Sequence, residues 1–192
     1  MREALSFLVA VYVWWFAFSS PVDFWYRIYF AGAVLLSIAL SEDMVLRYFE
    51  PSIRDGVIGI ISGVIFYLLV VLSIRLLPLS PLISGVEVLE SFRDLAPAYV
   101  YAPVTLAVAV VEELFWRGFM LLRLYRKIGN LGIPLAILLY AMGHVSTGMT
   151  VLLVGALVAG IYWTLLLLWR RNLLTPVISH LTWDALLLVW GV

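Results

Sequence analysis

Along this chain, long apolar runs alternate with short polar breaks, and the lengths of the runs carry the first structural information. Seven stretches, 4–20, 24–40, 56–77, 96–123, 132–146, 149–169 and 173–191, are strongly apolar and nearly free of charge. A helix needs about 20 such residues to cross the hydrocarbon of a bilayer, so the pattern predicts spanning helices. The fifth stretch is short for a span; Gly132-Ile133-Pro134 supplies its start, with proline in the first turn, where its missing N–H costs nothing. The first stretch is aromatic-rich (VYVWWFAF), and Ser19-Ser20-Pro21 is a poor small-residue cleavage site, so it reads as a retained anchor and not as a signal peptide.

Two polar breaks are long enough to hold structure of their own. SEDMVLRYFEPSIRDG, residues 41–56, is the most polar part of the chain. In PLSPLISGVEVLESFRDLAP, residues 78–97, Leu82, Val86, Leu89 and Phe92 recur at helical spacing, and Ser84 and Glu87 are spaced as a capping box. That predicts a short amphipathic helix on the membrane surface, serving attachment or, alternatively, as a lid over a substrate site. Gly59 with Gly63 and Ala156 with Gly160 place small residues four apart, where helices approach closely. Neither an internal repeat nor a low-complexity segment is visible. The expected fold is all-α: a polytopic membrane helix bundle with about seven hydrophobic helices, one integral membrane domain over 1–192 whose motif-bearing half is about 96–192.

Composition agrees and removes several classes of function. Hydrophobic residues make up 65% of the chain and charged ones 12%, with a mean hydropathy of +1.09, values of a membrane protein. A formal net charge of zero offers no basic surface for nucleic acid. The absence of cysteine excludes disulfides, thiol catalysis and thiolate metal sites. Lysine and arginine are unevenly placed: Arg2, Arg47, Arg54, Arg123, Arg126, Lys127, Arg170 and Arg171 fall on one side of the expected helix ends, and Arg27, Arg75 and Arg93 on the other. By the positive-inside rule the first group is cytoplasmic, which predicts a multi-pass protein of the cell membrane with its N-terminus inside and its C-terminus outside.

The chemistry lies where charge interrupts the apolar runs. VVEELFWRGF, residues 110–119, places Glu112, Glu113 and Arg117 within the fourth stretch; LLYAMGHVSTG carries His144; PVISHLTWDALL carries His180 and Asp184. An ionised residue at the centre of a membrane helix costs about 2.5–3.5 kcal/mol, so Glu112, Glu113, Arg117 and Asp184 unpaired would cost on the order of 10 kcal/mol. Glu113 and Arg117, four apart with the acid first, are placed to pair on one helical face. Glu112 is turned by ~100° from that face and needs another partner. His180 and Asp184, also four apart, share a face. Three helices thus carry polar groups, and the least costly arrangement turns them all toward one interior cavity. The tryptophans and tyrosines read mostly as interface-belt residues.

EELFWR has the form EExxxR, YAMGH the form [F/Y]xxxH, and HLTWD the form HxxxN/D. In that order, on successive hydrophobic helices, they resemble the three motifs of the CAAX-protease and bacteriocin-processing (CPBP or Abi) family, which includes the type II CAAX prenyl endopeptidases. The resemblance spans residues 112–184 and leaves the N-terminal helices without a diagnostic motif. It implies an intramembrane endopeptidase in which the first glutamate activates water and the histidines and last polar residue assist. Tyr140 stands where phenylalanine is typical, and Asp184 where the prenyl proteases usually carry asparagine, an amide able to donate to an oxyanion as a carboxylate is not.

The resulting expectation is that Glu112 acts as general base toward water, His144 and His180 orient that water or stabilise the tetrahedral oxyanion, and Asp184 orients His180 or, protonated, donates a hydrogen bond itself. Glu113 and Arg117 support the helix, and Arg117 is also placed to meet a substrate carboxylate. The scheme needs no cofactor; its alternative is zinc held by Glu112, His144 and His180. Expected partners are the lipid bilayer and a hydrophobic or lipid-modified peptide. Other classes that fit the same residues are a proton-coupled transporter or channel, with Glu and His as a relay, and a catalytically inactive membrane scaffold.

Overall fold

The computed structural model describes residues 2–76 and 80–191, with the side chains of 80–84 and 89 outside the description. Each apolar run forms a helix: α1 Arg2–Phe18, α2 Phe24–Leu40, α4 Ile53–Leu76, α6 Ala98–Glu112, α8 Gly132–Gly143, α9 Thr150–Arg170 and α10 Leu174–Trp190. Among the described residues there is no strand. The helical runs Ile53–Leu76, Ala98–Thr147 and Thr150–Arg170 are long and apolar enough to cross a membrane, and Phe24–Leu40 and Leu174–Trp190 are shorter apolar helices. Large apolar side chains stand outward along α4 and α9, Ile60, Ile61, Leu68, Leu69 and Leu165 among them, as a lipid-facing surface requires. The protein is an all-α membrane bundle.

Both polar breaks are more helical than their composition suggests. Residues 41–56 contain α3, Asp43–Arg47, and α4 begins at Ile53, so Asp55 lies inside a helix. Its carboxylate is buried and accepts from Arg170 Nε at 2.8 Å and from Thr175 Oγ1 at 3.1 Å, which offsets its desolvation. The second break forms α5, Ser80–Ser91, and a 3₁₀ turn, Phe92–Leu95. The helix is as expected, but it begins at Ser80, ahead of the capping box, so Ser84 is not its N-cap; the Ser84, Leu82 and Leu89 side chains lie outside the described residues.

The core forms around a departure from α-geometry. After Glu112 the fourth run continues as a π-helix, Glu113–Leu121, all nine residues of which are buried, before α7, Leu122–Ile128. π-turns are rare and concentrate at functional sites. Small residues let neighbours close on it and on each other. A Cβ at Gly118 would lie 2.9 Å from Val45, and one at Gly160 2.9 Å from the Tyr140 ring. Gly59 and Gly63 seat α10 directly on α4: a Cβ at Gly63 would fall 2.5 Å from the Ser179 carbonyl oxygen. The small residues picked out by their spacing are therefore the contacts that place the helices bearing Tyr140 and His180.

Polar residues collect at the two ends of the bundle. At one end Arg123 bridges Glu3 and Glu42, Arg2 also pairs with Glu42, and Arg170 pairs with Asp55. At the other, Trp25 Nε1 donates to the Phe92 carbonyl, and Arg93 Nη2 to the Leu187 carbonyl at 2.7 Å. Five of the basic residues counted together from sequence, Arg2, Arg123, Arg126, Lys127 and Arg170, make contacts at the first end.

Candidate active site

Glu112, at the junction of α6 and the π-helix, is 7% exposed. Its Oε2 accepts a hydrogen bond from the Tyr140 hydroxyl at 3.0 Å, and its Oε1 lies 3.5 Å from His144 Nε2. His144 sits where α8 tightens into a 3₁₀ turn, His144–Thr147. Its Nδ1 is 2.9 Å from the Tyr140 carbonyl oxygen, which can only accept; the proton is therefore on Nδ1, and Nε2 faces Glu112. The imidazole is flanked by the Tyr140 ring, edge-on at 4.9 Å, and by the Trp14 ring of α1 at 5.7 Å.

Glu113 has different neighbours. Its Oε1 accepts from Arg117 Nη1 at 3.0 Å, the pair expected from sequence, and from His180 Nδ1 at 2.9 Å. His180 is thus hydrogen-bonded to the second glutamate and not the first, and Glu113 takes part in orienting an imidazole as well as holding Arg117. The His180 ring stacks on Trp163 at 3.7 Å, and its Nε2 is 3.8 Å from Asp184 Oδ1 on the next turn of α10. Arg117 is 1% exposed, donates to the Ala159 carbonyl at 3.4 Å and lies over the Tyr140 ring at 4.2 Å. Enclosed this way, it is absent from the walls of the cavity described next.

That cavity measures about 640 Å³. Glu112, Tyr140, His144, His180 and Asp184 supply its polar groups, while Phe18, Phe66, Val108, Leu152, Val158 and Trp183 form apolar wall, and it extends to Glu90 and Arg93 at the second polar end. The volume lies within the range of about 300–1,000 Å³ typical of ligand sites. The five polar side chains from α6, α8 and α10 therefore face one space.

Glu112 and two imidazoles with their Nδ1 atoms secured are chemically suited to zinc. Among the described residues, however, no three His, Asp or Glu side chains are close enough to hold a metal ion.

Sequence reasoning assigned no role to Trp14, Trp163 or the Tyr140 hydroxyl. Trp14 lies in an aromatic run on a helix without a motif, and only packing reveals that it reaches His144.

Fold and site together describe a helical membrane protein with acids and imidazoles at an apolar cavity. Residues 94–186 match the family model described as type II CAAX prenyl endopeptidase Rce1-like, the family whose motifs this part of the chain resembles. The matched span contains all three motifs. Neither a curated protein nor a solved structure matches the chain.

Proposed function

We propose that the protein is an intramembrane endopeptidase that hydrolyses its substrate with a water activated by Glu112. The observation that carries this reading is the convergence of Glu112 Oε1 and His144 Nε2, 3.5 Å apart at the cavity wall. With Nδ1 protonated, both atoms are acceptors, so a water lodged beside them donates one proton to each. Glu112 takes a proton as the water oxygen adds to the peptide carbonyl carbon. Collapse of the tetrahedral intermediate breaks the C–N bond, and the proton held by Glu112 passes to the leaving amine. His180, fixed by Glu113 and Trp163, donates through Nε2 to the oxyanion when protonated there, with Asp184 beside it.

The largely apolar cavity suits a hydrophobic or lipid-modified peptide. In this reading the end bearing Arg2, Arg123, Arg126 and Lys127 is cytoplasmic, with the N-terminus inside, and the membrane is the cell membrane.

The test is cleavage of prenylated and unprenylated peptides by purified protein, compared with Glu112→Gln, His144→Ala and His180→Ala. Loss of the general base is expected to lower kcat by about 10²–10⁴-fold in a folded variant. Cleavage is expected to survive chelators. Loss on chelation restored by zinc would replace the glutamate mechanism with a metal one, and ion flux without cleavage would favour the transporter.

A further inference from the structure

Tyr140 differs from the phenylalanine typical of its motif by one hydroxyl, and that hydroxyl has a specific partner. Tyr140 Oη donates to Glu112 Oε2 at 3.0 Å, from a ring 4% exposed in the cavity wall. The hydrogen bond occupies one carboxylate oxygen and leaves Oε1 to face His144 Nε2. The same residue's carbonyl oxygen accepts from His144 Nδ1 at 2.9 Å, so Tyr140 touches both members of the proposed water site. Its ring is confined by the Arg117 guanidinium at 4.2 Å, by Trp116 at 5.4 Å and by Gly160, where no side chain fits. A hydroxyl on so constrained a ring has little freedom to turn elsewhere.

We infer that Tyr140 is a positioning residue for the Glu112-dependent reaction, its hydroxyl fixing the carboxylate so that only Oε1 is presented to water. This rests on the reading of Glu112 as base. The phenol keeps its proton throughout: it donates to Oε2 while Glu112 is ionised, and continues to do so after Oε1 has taken the proton of water. A phenylalanine here leaves the carboxylate free to rotate, or to offer both oxygens to the imidazole.

Tyr140→Phe isolates the hydroxyl, since ring, backbone carbonyl and aromatic contacts remain. The expected result is a kcat about 10- to 100-fold lower with KM within about twofold, the size expected for losing a hydrogen bond to a charged acceptor. A second readout needs no turnover. The Glu112 carboxylate band, isolated as the infrared difference between wild type and Glu112→Gln, is expected to shift in Tyr140→Phe. Unchanged kcat and an unmoved band would overturn the inference, as would a raised KM at constant kcat, or a loss of folded protein with full activity per folded molecule. If Glu112→Gln cleaves like wild type, the proposed function itself falls. If that variant is inactive while Tyr140→Phe keeps kcat and band, only the role of Tyr140 falls.

Discussion

Asp184 shows how one atom's placement constrains protonation. His180 donates from Nδ1 to Glu113, so a neutral ring turns the Nε2 lone pair toward the Asp184 carboxylate 3.8 Å away. Two acceptors facing each other need a donor between them, either a proton carried by His180 or Asp184 or a bridging water. An amide supplies an N–H at the same place without any titration. Asp184→Asn is therefore expected to keep peptide cleavage within about threefold of wild type at neutral pH, whereas Asp184→Leu, which removes the partner of a buried group, lowers kcat by about 10- to 100-fold. Equal loss in both variants would mean that the carboxylate itself is chemically required. The two glutamates were readable in sequence as groups on different faces, with Arg117 as one partner of Glu113; their other partners were not. Glu112 takes Tyr140 and His144, and Glu113 adds His180 to its Arg117 neighbour, because residues distant in sequence meet only after α6, α8 and α10 have packed.

The helices are positioned by contacts too close to accept an added methyl group. At Gly63 a Cβ would lie 2.5 Å from the Ser179 carbonyl oxygen and 2.6 Å from Thr182 Cβ, one residue from His180 on one side and two on the other. The first of these atoms is backbone, so no rotamer change relieves the clash, and α4 and α10 must separate. Gly63→Ala is expected to destabilise by about 1–3 kcal/mol, seen as a lower melting temperature in detergent, and to reduce cleavage by displacing His180. Gly56→Ala, where a Cβ meets nothing within 4 Å, should leave cleavage unchanged and serves as the control. At the polar end of the bundle, α1 is tied to α7 through Glu3. A backbone hydrogen bond, opposed by burial and reinforced by Arg123 and Lys127, holds the Glu3 carboxyl at about 2, below its ordinary 4.5. A lowered folded-state value means that the stabilisation is complete above about 4.5 and is lost as pH falls through about 2. Across that window the melting temperature of wild type is expected to fall further than that of Glu3→Gln. Parallel curves would remove Glu3 as the source.

For the whole molecule, the proposed orientation has a direct measurement, because the chain contains no cysteine. Arg126→Cys and Asp94→Cys place single thiols at exposed positions toward opposite ends of the bundle. In intact cells a membrane-impermeant maleimide is expected to label Asp94→Cys and spare Arg126→Cys; the reverse would invert the topology. The seven helices were legible to within a few residues at most of their ends, since hydrocarbon forces every backbone polar group into internal hydrogen bonds and leaves runs of suitable length no alternative to helix. Candidate residues were legible for a related reason: charge inside lipid is costly enough to stand out against leucine. What the sequence determined by itself was thus local: the helices, their lipid setting, the three motifs and the Glu113–Arg117 pair within one helix. Tertiary structure alone decided the π-helix after Glu112, the choice of imidazole for each acid, the hydroxyl of Tyr140 on Glu112, and the approach of Trp14 from a helix without a motif. Those relations depend on how separate helices rotate and pack, and no spacing along one chain segment encodes the angle at which another will meet it.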